Sequence, residues 1–415
     1  MAASDARVSQ DDVFAGHIPR TRSYRRLIAG LFFAGVATFA QLYSLQAVLP
    51  QVAGDLEVAA STAALTVSAA TLGIAVAVIP WSLVADRIGR IPAMAIGIIA
   101  ATSFGLAAPL STEITVLLVL RLGEGLALGA VPAVALAYLS EEVHARHVAA
   151  AAGSYTAGTT VGGLTGRLVA GPLSEAFDWR IGVWSVTVLC TVAAVLFLWL
   201  VPRARRFVPG RMRADAGPGK LARLIRALRS PRLLALYAQG FLLMGAFVAV
   251  YNYLGFHLIA PPFMLPVWLV TLLFLAYLAG TLSSPWAGSL AVRYGRRWVL
   301  LAAIGLFIAG AALMYVPSPI VILIGLVVFT GGFFGAHAIA SSWAPVLADP
   351  TSRAQAPSLY YFAYYAGSSL FGWALGIVFG QAGWGWFLGA VIFMGLVAAV
   401  IATVALRPNR WPDRP

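Results

Sequence analysis

Ser82-Leu-Val-Ala-Asp86-Arg87-Ile-Gly89-Arg90-Ile91 joins two long apolar runs, and 206 residues later Gly288-Ser-Leu-Ala-Val292-Arg293-Tyr-Gly295-Arg296-Arg297 joins two more. Further pairs keep nearly the same offset: Pro80-Trp81 with Pro285-Trp286, Arg146 with Arg353, and Trp179 with Trp386. Matching residues at matching ends of apolar runs indicate a duplicated unit, an arrangement that membrane transporters use.

Windows of about 20 apolar residues, the length that crosses the hydrocarbon core of a bilayer, extend the pattern in both directions. They fall near 27–50, 61–83, 92–110, 115–139, 149–171 and 180–201, and again near 233–256, 266–288, 298–316, 319–346, 358–381 and 384–406. Turn chemistry separates them, as at Pro50, Ile91-Pro92, Pro317-Ser-Pro319 and Gly380-Gln-Ala-Gly383. The expected fold is all-α and integral to a membrane, with twelve transmembrane helices in two pseudo-symmetric six-helix bundles around a central cavity. The expected divisions are an N-terminal tail at 1–24, bundles at 25–202 and 232–406, a basic linker at 203–231 and a C-terminal tail at 407–415.

Composition agrees. Of 415 residues, 60% are hydrophobic and 10% charged, whereas a soluble domain carries about 25% charged residues. The formal charge of +13 has to be placed before it is interpreted. Arg7, Arg20, Arg22, Arg25 and Arg26 precede the first run; Arg87, Arg90 and Arg146 lie in later breaks, and ten basic residues crowd from Arg203 to Arg232. Arg293, Arg296, Arg297 and Arg353 follow, and Arg407, Arg410 and Arg414 end the chain. All fall on one side, which the positive-inside rule names cytoplasmic, both termini included. The other side keeps Arg180 among Asp55, Glu57, Glu113, Glu175 and Asp178. Topology and attraction to anionic lipid therefore account for the charge, and no nucleic-acid partner is needed. The polar stretch up to Tyr24 precedes the apolar run from Leu27 without a short apolar segment and cleavage site, so it reads as a cytoplasmic tail and not a signal peptide. Cys190 is the sole cysteine, which excludes an intrachain disulfide.

These features resemble the major facilitator superfamily over essentially the whole chain. The family's loop motif, Gly-x-x-x-Asp-Arg-x-Gly-Arg/Lys-Arg/Lys, is matched from Ser82 to Ile91 with Ser for the first Gly, and from Gly288 to Arg297 with Val292 for the acid. Arg121-Leu-Gly-Glu124-Gly125 resembles the Arg-x-x-Gln-Gly of its fourth helix. The glycine-rich run from Gly153 to Arg167 resembles the bacterial exporters related to arabinose-efflux permeases. The family's antiporter motif continues Gly-Pro with two glycines, whereas here Gly171-Pro172 leads into Leu173-Ser-Glu175. The resemblance implies secondary active transport by alternating access, with proton-linked efflux as the branch's usual activity. It also implies a conformational latch of Asp86, Arg87, Gly89 and Arg90 with Arg293, Gly295 and Arg296. A plain topology anchor would explain the arginines but not Asp86.

A charge at the bilayer centre costs about 2.5–3.5 kcal/mol on insertion scales, and only Arg121, Glu124 and Arg167 carry one deep in the runs. Glu124 lies about nine residues, roughly 14 Å, below the outer end of its run at 1.5 Å per residue. Arg121 is one turn above it, and Arg167 in the next run is at nearly the same height. Two guanidiniums and one carboxylate are expected to come together there. Either they form a structural ion pair pinning two helices, or Glu124 is a proton site pairing with Arg121 or Arg167 in alternation, and both can hold at once. Gln41, Tyr43 and Gln46 in the first run, and Tyr251 and Asn252 in the seventh, add polar groups for a solute cavity. Tyr364, Tyr365 and Ser368 share one face of the eleventh with Tyr361; the other reading of such tyrosines is packing or an interfacial belt. His337 in the tenth could take a proton near neutral pH, although a helix histidine is more often a hydrogen-bonded packing residue. Gly158, Gly162 and Gly166 mark close helix packing.

No Gly-x-x-x-x-Gly-Lys-Ser/Thr loop occurs, which argues against an ATP-driven pump. The spans offer neither a metal cluster nor the carboxylate pair of a membrane enzyme. The expected protein is a monomeric, multi-pass carrier of the inner membrane, moving a small solute with protons and no cofactor beyond the proton gradient. Proton-coupled uptake is the nearest alternative, and a non-transporting sensor of the same fold the remote one. Two arginines to one carboxylate lean toward neutral or anionic solutes.

Overall fold

The computed structural model describes residues 16–205, 207, 225–350, 352–353 and 355–406. The tail before residue 16, most of the expected basic linker and the tail from 407 lie outside the described residues. The first half contains α1 (Arg22–Leu42), α2 (Leu49–Asp55), α3 (Ala60–Ile88), α4 (Arg90–Ala107), α5 (Ile114–Leu128), α6 (Ala130–Glu142), α7 (Val148–Ala176) and α8 (Trp179–Leu200). The second contains α9 (Pro231–Ile259), α10 (Val267–Leu272), α11 (Leu278–Tyr294), α12 (Arg296–Leu313), α13 (Pro319–Leu347) and α14 (Gln355–Ala405). A 3-10 stretch, Leu273–Tyr277, joins α10 to α11. Among the described residues there is no strand, only an isolated bridge between His17 and Val143 that fastens the chain start to the end of α6. Burial pushes the His17 imidazole below its ordinary pKa range, with Glu142 opposing the shift and Arg205 adding to it.

Both copies of the repeat turn the chain in the same way. α3 ends at Gly89 with φ 104° and ψ 159°, and α11 ends at Gly295 with φ 85° and ψ 144°. A side chain is strained in that backbone region, which is essentially reserved for glycine, so the two glycines are what allow each helix pair to reverse.

Within the first half α1 packs along α7 and α8, and α3 along α5; within the second α9 packs along α14, and α12 along α13. The halves meet where α3 crosses α14 and where α7 meets α10 and the 3-10 stretch. Contact between α1 and α7 depends on missing side chains. A Cβ on Gly158, Gly162 or Gly166 would run into the backbone of Phe32, Val36 or Ala40, in four-residue steps on both helices. Without a hydrophobic force between helices in lipid, such close backbone approach is a main source of cohesion. Large apolar side chains on the outer surface, such as Val119, Val188, Leu282 and Phe393, are the kind a bilayer covers.

Ten helices among the described residues are long and apolar enough to cross a membrane, against the twelve expected. Two features bear on the difference. α14 is a 51-residue helix broken by a non-helical Gly383 (φ 77°, ψ −178°), where the sequence places a turn between two spans. α7 is 29 residues long but rich in Gly and Thr, and is not among the ten.

Gly162→Ala is expected to cost about 1–3 kcal/mol through overpacking and to lower the thermal unfolding midpoint in detergent. Gly153→Ala, where a Cβ meets nothing within 4 Å, should leave the midpoint in place. Equal behaviour of the two variants would contradict the packing account.

Candidate functional site

α1 stops at Leu42 in the middle of the span Arg22–Asp55. A turn over 43–45 and a 3-10 turn at Gln46–Val48 precede α2. The last carbonyls of a helix have no partner within it, and the bilayer core holds no water to supply one. Ser44 bonds the Gln41 carbonyl through its backbone N–H at 3.3 Å and its Oγ at 2.9 Å, and Arg121 of α5 reaches that carbonyl and the next. Nη1 donates to the Gln41 carbonyl at 3.3 Å and Nη2 to the Leu42 carbonyl at 2.5 Å. Nε donates to the Thr66 carbonyl of α3 at 3.1 Å. A cation at a helix C-terminus also suits the helix dipole.

The buried guanidinium in turn requires an anion. Nη1 donates to Glu124 Oε2 at 2.5 Å, and the two side chains are 1% and 0% exposed. The other carboxyl oxygen, Glu124 Oε1, is buried without a hydrogen-bond partner, and so is Gln41 Oε1. Gln41 lies against the same carboxyl group, and its Nε2 donates to Thr187 Oγ1 at 3.2 Å. A carboxylate only accepts, so Glu124 becomes a donor only when it carries a proton.

Arg167 is not part of this pair. Its Nε donates to Gln46 Oε1 at 2.7 Å, Nη1 to the Gly163 carbonyl at 2.5 Å and Nη2 to the Tyr277 hydroxyl at 3.0 Å. Its guanidinium carbon sits 4.1 Å from the Tyr43 ring centroid, 4.5 Å from Tyr277 and 5.1 Å from Phe274. Gln46 continues the chain by donating to Asn252 Oδ1 of α9 at 2.6 Å. Arg167, Gln46 and Tyr43 belong to the first half, Tyr277, Phe274 and Asn252 to the second. The halves touch again where Glu175 Oε2 accepts from the Trp268 backbone amide at 2.6 Å.

The remaining candidates divide. The Tyr251 hydroxyl bonds Thr330 Oγ1 at 2.8 Å within the second half. Tyr365 is buried, and its ring lies 5.2 Å from that of half-buried Tyr364. Ser368 Oγ is buried without a partner, as is Ser68 Oγ of α3. His337 Nδ1 is 3.0 Å from the Tyr360 hydroxyl and its ring 4.9 Å from Tyr364, so the imidazole is a bonded member of an aromatic cluster. In the loop motif Arg90 bonds Asp86 Oδ1 at 2.8 Å and Glu141 Oε1 at 2.7 Å, all three within the first half. Arg87 and Arg296 do not join this cluster among the described residues, and Arg293 lies over the Tyr294 ring at 5.2 Å.

Several participants escape the sequence reading. Glu141 carried a signal, as one of two acids just past the end of the fourth run, opposite Arg90. Thr66, Thr187, Phe274 and Tyr277 carried none, because nothing in their local sequence distinguishes them from packing residues.

The sequence profile of the Major Facilitator Superfamily matches residues 31–271 and 264–415. The chain is 35% identical over 395 residues to an uncharacterized MFS-type transporter, YybF, of Bacillus subtilis strain 168, covering 95% of this chain and 96% of the relative. It is 36% identical over 387 residues to the inner membrane transport protein YnfM of Escherichia coli K12, covering 93% and 91%. Among solved structures it resembles a mutant of the nucleoside transporter NupG, with TM-score 0.74, 16% identity and coverage of 91% and 98%. It also resembles the xylose transporter XylE from E. coli, with TM-score 0.73, 12% identity and coverage of 95% and 100%.

Arg121→Lys keeps the charge but not the fork that reaches two carbonyls of α1, one of α3 and a carboxylate. It is expected to destabilise the protein by about 1–3 kcal/mol for each buried acceptor left unbonded. Asp86→Asn, at a partly exposed ion pair, should cost no more than about 1 kcal/mol. Thermal unfolding of the purified variants measures both.

Proposed function

This chain belongs to the major facilitator superfamily, and on that premise we propose that it exports a small solute across the inner membrane in exchange for protons. It is a multi-pass membrane protein and a secondary transporter, not an enzyme. The proposed topology has twelve crossings, counting α7 and dividing α14 at Gly383, with both termini and the basic linker in the cytoplasm. The divisions are the tails at 1–24 and 407–415, the bundles at 25–202 and 232–406 and the linker at 203–231.

One observation carries the proton coupling. Glu124 is buried, spends one oxygen on Arg121 and leaves the other without a partner. In its ionised form it neutralises Arg121, and in its protonated form it becomes a donor beside Gln41. Loading and unloading that proton changes the hold of Arg121 on the broken end of α1, and the segment just after the break carries Gln46, which meets the second bundle. Proton occupancy thereby biases which side of the carrier is open. In this topology the contacts of Arg167, Gln46 and Glu175 with the second bundle close the outer side. The Asp86–Arg90–Glu141 cluster stiffens the inner end of the first bundle, where it serves the latch together with Arg87, Gly89, Arg293, Gly295 and Arg296. Gln41, Gln46, Tyr251, Asn252, Tyr364, Tyr365, Ser368 and His337 supply polar groups along the proposed path, and a monomer contains all of it.

Cells expressing wild type are expected to accumulate less of at least one solute in a broad panel than empty-vector cells. A protonophore and Glu124→Gln should each abolish the difference, and Glu124→Asp should keep part of it. Efflux that survives Glu124→Gln but still collapses with the protonophore would place the coupling site elsewhere. Higher accumulation in expressing cells, dependent on the gradient, would replace export with uptake.

A further inference from the structure

Away from helix ends, three buried groups carry formal charge among the described residues, and they do not cancel. Arg121 and Glu124 neutralise one another. The three acceptors around Arg167 are a glutamine side-chain oxygen, a backbone carbonyl and a phenol, all uncharged. A guanidinium has five N–H donors, so two remain after these bonds are made. A full positive charge thus sits 0% exposed, incompletely bonded and without an anion, at the seam between the bundles.

Such a charge is costly to bury, and its position matters. Tyr277 and Phe274 belong to the other bundle, so any motion that parts the bundles at this level strips the guanidinium of one hydrogen bond and two rings. Arg167 then presents its freed donors to whatever occupies the gap. A carboxylate supplies both things it lacks, a countercharge and a planar acceptor matching the guanidinium fork. The neighbouring walls are aromatic. Tyr251 stacks on Phe274 at 5.4 Å, Phe247 on Phe333 at 3.9 Å, and Tyr277 meets Phe334 at 5.8 Å. One net charge and apolar walls disfavour a polyanion such as phosphate, and a cation would meet the unneutralised guanidinium.

We propose that Arg167 is the binding determinant of the solute site and that the solute is a small organic monoanion, a carboxylate carried on a flat apolar body. Tyr277 is then a surrogate ligand, holding Nη2 while the site is empty and yielding it to the solute. The inference rests on the transport reading above, but its test needs no proton gradient.

The experiment is thermal unfolding of the purified full-length protein in detergent, at matched ionic strength, with benzoate, benzyl alcohol or benzylammonium as probes. Benzoate alone is expected to raise the wild-type midpoint. Its apparent affinity should fall about tenfold or more in Arg167→Gln, the order of one lost charge-assisted contact. Tyr277→Phe keeps the ring but frees the donor, and should bind benzoate more tightly than wild type; this variant carries the test should Arg167→Gln fail to fold. Absence of a benzoate shift in wild type, equal shifts with benzyl alcohol, undiminished binding in Arg167→Gln or weakened binding in Tyr277→Phe each overturns the proposal. A proton-driven exporter of cations would pass the flux test with Glu124→Gln and fail this one, so the two readings fail separately.

Discussion

The Arg121 guanidinium holding the broken end of α1 is the interaction on which the rest depends. A helix that stops in the middle of a bilayer exposes carbonyls where no solvent can bond them, and each such group costs several kcal/mol if left alone. Arg121 answers the Leu42 carbonyl, shares the Gln41 carbonyl with Ser44 and reaches α3 with its remaining edge. Its own burial then demands Glu124. The chain of necessity runs from backbone to cation to anion, so the one deep acid of the protein is explained by a missing turn of helix. A structural origin does not compete with a mechanistic role, because the geometry that forces the carboxyl group into the core leaves one of its oxygens unbonded.

The break also links the two arginines. Leu42 ends α1, Tyr43 covers Arg167 with its ring, and Gln46 accepts from Arg167 while donating to Asn252. A short unwound segment therefore connects the Arg121 node inside the first bundle to the Arg167 contact between bundles. The glycines of α7 make this possible by letting α1 approach within backbone distance, which sets Arg167 against the segment that follows the break. The second half has an irregularity of its own, the 3-10 stretch Leu273–Tyr277, and its Phe274 and Tyr277 are the residues that complete the ring cage. Irregular backbone in the two halves faces the same cation.

Much of this was legible in the sequence. Apolar run lengths and the repeated loop point to the all-helical membrane architecture in outline, and Gly89 and Gly295 were recognisable as turn glycines by position. The spacing of Arg121 and Glu124, three residues apart on one helix, made their pairing readable as well. Arg167 was expected beside Arg121 and Glu124 and keeps other company, since rise per residue gives depth and says nothing of which neighbour a helix face meets. The break in α1 was not read because Gln41-Leu-Tyr-Ser-Leu-Gln46 contains neither glycine nor proline, although Pro50 in the first turn of α2 cannot bond the Gln46 carbonyl and so interrupts a continuous helix just beyond it. Tyr277 was missed because its hydroxyl acquires meaning only across the bundle seam.

The two loop copies act as a control experiment performed on the chain by its own duplication. Both retain the glycine with positive φ, so reversing the helix pair tolerates no substitute there. Only the first retains the acid: Asp86 bonds Arg90, while the equivalent Val292 is 91% exposed. The glycine that both copies keep serves the turn, and the acid that one has shed is something the turn can spare. The halves are thus alike as shapes and unlike as machines, and a carrier assembled from them has a built-in handedness between its two faces before any solute arrives.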